Sequence, residues 1–247
     1  MGLFSNFNTE GLEASEDRLG GFSPLSTDVY EASIKAAYAG QSSGGAHSVT
    51  LIADAGGREY RETIYITNKK GENFFLNKND KTKKVPLPGF TTINDICLVT
   101  VEQPLSEMET EEKVVNVWDN DAKKEVPKSV QMLTGLIGMK VGLGIVEQLV
   151  NKNEKVGDKY EPTAETRVEN LIDKVFHFPS NMTVVEATNG ATDPAFHEAW
   201  VAKNKGVQRD KREIKDGAGG AGASGRPAAG APAAGSAAPK ASLFGKK

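Results

Sequence analysis

Three extended segments follow one another between residues 27 and 67 with only short glycine turns between them, and this limits the fold more than any other feature. The first, TDVYEASIKAAYA (27–39), is rich in Val, Tyr and Ile, and QSSGG (41–45) is a flexible turn after it. HSVTLIAD (47–54) follows, then Ala55-Gly56-Gly57, then REYRETIYIT (58–67). Turns this short join antiparallel neighbours, because a parallel connection needs a crossover of a dozen or more residues. In the third segment Tyr60, Glu62, Ile64 and Ile66 alternate with Arg61, Thr63, Tyr65 and Thr67. A strand with that period buries the first set and wets the second, so an aromatic ring and a cation share the wet face.

The remaining chain adds strands and a few helices without βαβ alternation. NFFLNKNDKTKK (73–84) reads as a short strand and a basic loop. After Pro86 and Pro88, Thr91 or Thr92 can cap a helix whose Ile93, Ile96, Cys97 and Val101 share one stripe. Residues 105–112 read as an acidic helical turn or loop, and 113–121 with 123–128 as a hairpin. SVQMLTGLIG (129–138) reads as a short helix and MKVGLGIVEQLVNK (139–152) as a long strand whose glycines allow a bend. TRVENLIDKVFHF (166–178) fits either helix or strand, TVVEA (183–187) fits a strand, and DPAFHEAWVAKNKG (193–206) a capped helix. The fold class expected is mainly β with inserted helices (α+β): a twisted antiparallel sheet or barrel.

Composition divides the chain. From Asp216 to Lys247 it is almost wholly Gly, Ala, Pro, Ser and Lys, which cannot bury enough apolar surface to fold. The expected layout is an N-terminal arm over 1–25, one domain over 26–205 and a disordered basic tail over 206–247. Residues 203–247 carry ten Lys and Arg against three acids, while residues 1–202 carry twenty against thirty. An acidic body with a cationic tail gives the tail a polyanionic partner or a return to its own body. Lys203, Lys205, Arg209, Lys211, Arg212 and Lys215 gather at the start of that tail. Leu243 and Phe244 at its tip have no core to serve, which marks them as a partner-docking motif.

One cysteine, Cys97 in an apolar run, excludes a disulfide framework and reads as a buried inert thiol. The start MGLFSNFNTEGLE lacks the basic and apolar regions of a signal peptide, and no stretch approaches a membrane span, so a soluble cytoplasmic protein is expected, with no membrane partner.

Catalytic patterns are weak. His47, His177 and His197 lack metal-ligand spacing, and GLIGMKVGLG (135–144) lacks the Gly-Lys-Ser/Thr of a phosphate loop. Glu107, Glu109, Glu111 and Glu112 have no second carboxylate group to complete a Mg²⁺ site and read as solvated surface. The sequence therefore predicts no enzyme, no cofactor and no metal.

Residues 58–84 are the exception within the acidic body. Eight cations stand there against four acids: Arg58, Arg61, Lys69, Lys70, Lys78, Lys81, Lys83 and Lys84. Interleaved are Tyr60, Tyr65, Phe74 and Phe75. Cations neutralise phosphates and release counterions, while flat rings stack on exposed bases at roughly 1–3 kcal/mol each. Duplex DNA offers no exposed base faces, so the rings point to single strands. Alternation selects Tyr65 over Tyr60 as the outward ring, and leaves open which of Phe74 and Phe75 is outward. The bland alternative is that Tyr60 and Phe75 are core and Lys78–Lys84 a solubilising loop.

EDRLGGF (16–22), REYRETIYITNKKGENFFLNK (58–78), VPLPGFTTINDICL (85–98) and ENLIDKVFH (169–177) resemble single-stranded-DNA-binding proteins of podophages and related tailed phages. The resemblance spans about residues 10–200, and ETIYITNKKGEN is its strongest part. It implies an OB-like barrel that coats single strands during replication and recombination, and in some phages a cofactor that brings RNA polymerase to melted promoters. It also implies that Arg58–Lys84 forms part of the groove. One departure is clear: many single-strand binders end in an acidic tail with an apolar tip, and this tail is basic.

The reading is sequence-independent binding of single-stranded DNA in phage replication, recombination or repair. Cations of 58–84 take phosphates, and Tyr65 with Phe74 or Phe75 stacks on bases. The alternative is a transcription cofactor that recruits RNA polymerase through its tail, and a third reading is a virion or assembly component. Phage replication proteins or RNA polymerase are the protein partners implied, and homo-oligomer formation stays open.

Overall fold

A computed structural model describes residues 24–119, 122–157 and 159–214; the side chains of Trp118 and Asp119 are outside this description. The expected meander is present. Strands β1 (Asp28–Gln41), β2 (His47–Ala55) and β3 (Arg58–Tyr65) pair antiparallel in chain order. Gly56 and Gly57 take positive φ in the turn between β2 and β3, where other residues would be strained. A small hairpin of β4 (Phe74–Leu76) and β5 (Lys84–Pro86) follows. Then comes helix α1 (Pro88–Val101).

The outer edge of β1 takes two further neighbours. Its first half pairs with the long strand β8 (Lys140–Val156), and Tyr38 pairs with Met132 of β7 (Lys124–Met132). β7 forms a hairpin with β6 (Glu111–Asp119), and β8 forms one with β9 (Lys159–His177). The result is an antiparallel sheet in the order β9-β8-β1-β2-β3, with no backbone pairing between β3 and β9 among the described residues. The sheet therefore stays open. Glu62 spans the gap: its Oε2 accepts from the Ile172 backbone N–H at 2.9 Å and from the Tyr60 hydroxyl at 2.5 Å.

α1 packs beneath this open side. Ile93, Ile96, Cys97 and Val99 are buried with Ile34, Leu51, Tyr60, Ile64, Leu143 and Ile172 in one core. Removing these side chains from water is the main stabilising term, at ~25 cal/mol per Å² of apolar surface. No helix among the described residues is long and apolar enough to cross a membrane.

Several local expectations need correcting. The helix begins at Pro88 without a side-chain cap, and Thr92 instead bonds back to the Pro88 carbonyl. Residues 129–132 continue β7, since Val130 and Met132 alternate into a buried cluster; only Thr134–Leu136 makes a single 3-10 turn. TVVEA is not a strand. Thr183 and Glu186 form a reciprocal capping box that starts helix α2 (Val184–Thr188). Helix α3 (Ala195–Asn204) follows Pro194 without a side-chain cap. The ambiguous segment 166–178 is strand as far as His177.

The glycines of β8 do more than permit a bend. The register does shift between Gly144 and Ile145, but a Cβ on Gly142 would lie 3.0 Å from the Phe176 Cβ. One on Gly144 would lie 3.3 Å from both the Phe176 and Trp200 rings. These glycines make room for Phe176, Trp200 and Val146, a second buried cluster between the sheet and α3.

Candidate nucleic-acid interface

β3 presents its wet face as its alternation dictates. Tyr60 is buried and joins the core, whereas Arg61, Thr63 and Tyr65 lie on the outward side. Pairing across β2 adds Ser48 beside Tyr65, Thr50 beside Thr63 and Ile52 beside Arg61. Arg61 is held in place: its guanidinium donates to the Tyr38 hydroxyl at 2.9 Å, and Thr50 and Thr63 share a hydrogen bond at 2.9 Å. Tyr38 rests on Val130 and Met132, so the β6–β7 hairpin walls one side of this face. Tyr65 is 52% exposed, a large apolar area for a side chain on a well-formed strand.

The end of β3 is fastened on two sides. Ile66 and Thr67 donate to the His47 carbonyl, and the His47 N–H donates to Thr67 Oγ1 at 2.8 Å, so the β1–β2 turn sits against it. On the other side α1 approaches so closely that a Cβ on Gly89 would lie 2.1 Å from the Tyr65 carbonyl oxygen. Glycine is required there by the contact itself. The Tyr65 backbone is thereby fixed while its ring stays in solvent.

From this end hangs the β4–β5 hairpin, carrying a shallow pocket of about 450 Å³ lined by Asn68, Lys70, Glu72, Phe74, Phe75, Leu76 and Lys84. Asn68 shapes the preceding turn, accepting from the Lys70 and Glu72 backbone N–H groups while its amide donates to Glu72. Phe74 is half-buried with the Lys84 ammonium 4.3 Å from its ring centre, whereas Phe75 is 47% exposed. That resolves the open choice: Phe75 is the more outward ring, and Phe74 has a cation already over one face.

The pocket thus gathers Lys70, Phe74, Phe75 and Lys84. Lys69 lies along Gly44 of the β1–β2 turn, with its Cε 3.3 Å from where a Cβ there would sit. Lys78 and Lys81 are on the loop beyond β4, and Lys83 pairs with Asp80 at 3.4 Å. Hydrogen bonds from Thr82, with Lys83 beside it, hold the Asp80 carboxyl below the usual range. Arg58 stands apart, at the opposite end of β3 from Tyr65, where its charge acts on Tyr30.

No family model, no curated protein and no solved structure matches this chain.

Other marked residues have structural duties. Cys97 is fully buried, and burial pushes its thiol up to about 12, so it carries no thiolate at neutral pH. His177 hydrogen-bonds Ser180 at 2.7 Å, and His197 meets the Phe176 ring edge-on at 5.1 Å. Glu111 pairs with Lys113, and Glu112 accepts from Ser129, both on the β6–β7 hairpin.

Two of the cations grouped with the tail are tied to the body, and a third is paired within its own segment. Lys205 pairs with Asp28 at 2.9 Å, Arg209 with Asp173 at 2.7 Å, and Arg212 with Asp210 at 3.0 Å. The chain stays attached beyond residue 206, where the sequence reading begins its tail: β10 (Arg209–Asp210) runs parallel to β8. Most of the N-terminal arm and the Gly/Ala/Pro-rich tail with Leu243 and Phe244 lie outside the described residues.

Sequence reasoning did not single out Tyr38, whose hydroxyl positions Arg61, or Tyr160, a ring 71% exposed on β9. Tyr160 sits among charged residues in a stretch that reads in sequence as a loop around Gly157 and Pro162, whereas pairing with β8 makes it part of β9.

Proposed function

We propose that this protein binds single-stranded DNA without sequence preference, using the outer face of β3 and the β4–β5 hairpin. The observation that carries the reading is a pair of solvent-facing rings, each with cations on its own element: Tyr65 on the outer face of β3 with Arg61, and Phe75 on the β4–β5 hairpin with Lys70 and Lys84. Burying such rings in a core would be favourable, so rings left wet beside cations suit a ligand with flat apolar faces and a negative backbone. A polyanion without exposed bases would use the lysines and leave the rings idle.

The architecture supports the same reading. A β1-β2-β3 meander, a helix after β3 under the open side, and two later strands completing the order β9-β8-β1-β2-β3 make up an OB-like arrangement. Such barrels present the β2–β3 face to oligonucleotides. Glu62 bridges the open seam between β3 and β9 with one side-chain hydrogen bond. A role in tailed-phage replication, recombination or repair fits this chemistry, because those processes expose single strands.

Binding of labelled oligo-dT, followed by fluorescence anisotropy at several salt concentrations beside a duplex of equal length, tests the proposal. Single-strand binding that weakens steeply with salt is expected. The double variant Tyr65→Ala/Phe75→Ala should weaken it about tenfold or more, since each stack is worth about 1–3 kcal/mol. Both rings are exposed, so folding should persist. Unchanged affinity in that variant would overturn the stacking proposal.

A further inference from the structure

β8 and β9 run on past the body of the sheet as a two-stranded ribbon. β1 pairs with β8 only as far as Ile145 and β10 only as far as Leu149, yet β8–β9 pairing continues to Val156 and Lys159. Seven residues of β8 (150–156) and nine of β9 (159–167) therefore run beyond the last neighbouring strand, roughly 20 Å for the shorter strand at about 3.3 Å per residue.

The register sorts this ribbon into two different faces. Directly paired residues lie on the same side, so Lys155 stands opposite Tyr160 and Asn153 opposite Pro162 on one face. Glu154 stands opposite Glu161, and Val156 opposite Lys159, on the other. Nearer the foot the charges are satisfied: Lys152 pairs with Glu165 at 2.9 Å and Arg167 with Glu169 at 2.8 Å. Lys155 and Lys159 make no ion pair among the described residues. Tyr160 is 71% exposed and contributes to no core cluster.

A second, independent feature converges on the same place. The Lys211 N–H donates to the Leu149 carbonyl, and Asn151 accepts from the Glu213 and Ile214 backbone N–H groups. The C-terminal segment, with its excess of Lys and Arg, thus departs from the foot of the ribbon. Arg58, at the far end of β3 from Tyr65, acts on Tyr30 together with Glu147, just below that foot.

We infer that the Lys155–Tyr160 face of the ribbon is a second contact for single-stranded DNA, separate from the Tyr65–Phe75 site and reached only by longer strands. A ring and an ammonium presented side by side offer one stack and one phosphate contact. On the reverse face the paired glutamates outnumber Lys159, so that side is net negative and the strand is oriented to the Tyr160 side. The inference rests on the single-strand reading of the Tyr65 site.

The test compares full-length protein with its Lys155→Glu/Tyr160→Ala variant on two oligo-dT lengths, about 5 and about 16 nucleotides, which bracket the usual span of one such domain. The variant should bind the long strand about tenfold more weakly and the short strand within about twofold of wild type. Equal long-strand affinity in both proteins overturns the second contact and leaves the Tyr65 site standing. If wild type binds neither length, both readings fall. A variant that loses self-association in sedimentation while keeping long-strand affinity also overturns the inference, making the face an interface between copies of the chain.

Discussion

At the scale of single residues, Asp95 shows how burial sets a titration. It sits on α1 beside the core, and burial raises its carboxyl to about 6, with Lys174 only partly offsetting the effect. An unfolded Asp titrates near about 4. The folded state therefore holds the proton more tightly, and stability from this group falls as pH rises from about 4 to about 6, staying low above that. Asp95→Asn should stabilise the protein by about 2 kcal/mol at about pH 7.5 and leave it unchanged below about pH 4. Urea unfolding at the two pH values measures this, and an equal effect at both would point to packing instead of charge. Glu62 is also raised by burial, but Tyr60 and the Ile172 N–H pull the other way, so its hydrogen bonds across the open seam partly offset the cost of its location.

At the scale of elements, the attachment of α3 and β10 to the sheet runs through Asp173. Its carboxylate accepts from the Trp200 indole at 2.7 Å and from Arg209 at 2.7 and 3.2 Å, and Arg209 also reaches Asn204 at 2.9 Å. Burial alone would raise this carboxyl, but Arg209 and Trp200 outweigh it and the net shift is downward. Its contribution is thus present above about pH 4 and disappears as pH falls through the lowered folded value. Arg209→Ala strands a half-buried carboxylate and should cost about 2 kcal/mol at about pH 7, with a smaller cost in acid. Chemical denaturation at both pH values checks it, and amide exchange should show β10 loosening first. Beyond its foot the ribbon has no such anchoring among the described residues. Cross-strand pairs hold it there, so its amides should exchange faster than those of the buried run Val141–Val146.

At the scale of the whole molecule, charge is unevenly placed. Residues 215–247 carry five Lys and Arg against one acid, so their removal takes the chain from −3 to −7. The Asn151 bonds to 213 and 214 remain, and the body should keep its melting temperature. Single-strand binding by the truncated protein should weaken. Its salt dependence should also become shallower, by about 0.7 in log–log slope for every phosphate that the tail neutralises in the full chain. Titration over a salt series checks this. A slope identical to the full chain would mean that the tail touches no phosphate and serves a protein partner instead.

Much of this was legible in the residues. The alternation through Arg58–Thr67 assigned Tyr60 to the core and Tyr65 to solvent, because a strand's period is two and only one of its faces was apolar. The glycine turns specified an antiparallel meander, and the stripe Ile93, Ile96, Cys97 specified the buried face of α1. What local pattern could not supply was contact between distant segments. Residues 166–178 read equally as helix or strand until pairing with β8 decided it, and Val184–Thr188 hides a capping box inside a β-rich string. Phe74 and Phe75 look alike in sequence; Lys84, ten residues on, makes the difference by lying over one ring. Lys205 and Arg209 look like tail cations, yet Asp28 and Asp173 lie far away in sequence and close in space. Apolar faces and turn positions could be read from residue order alone, since spacing and conformational freedom are local properties. Which cations are neutralised, which rings stay wet and how far the ribbon reaches were settled by the fold, since each depends on what the rest of the chain brings alongside.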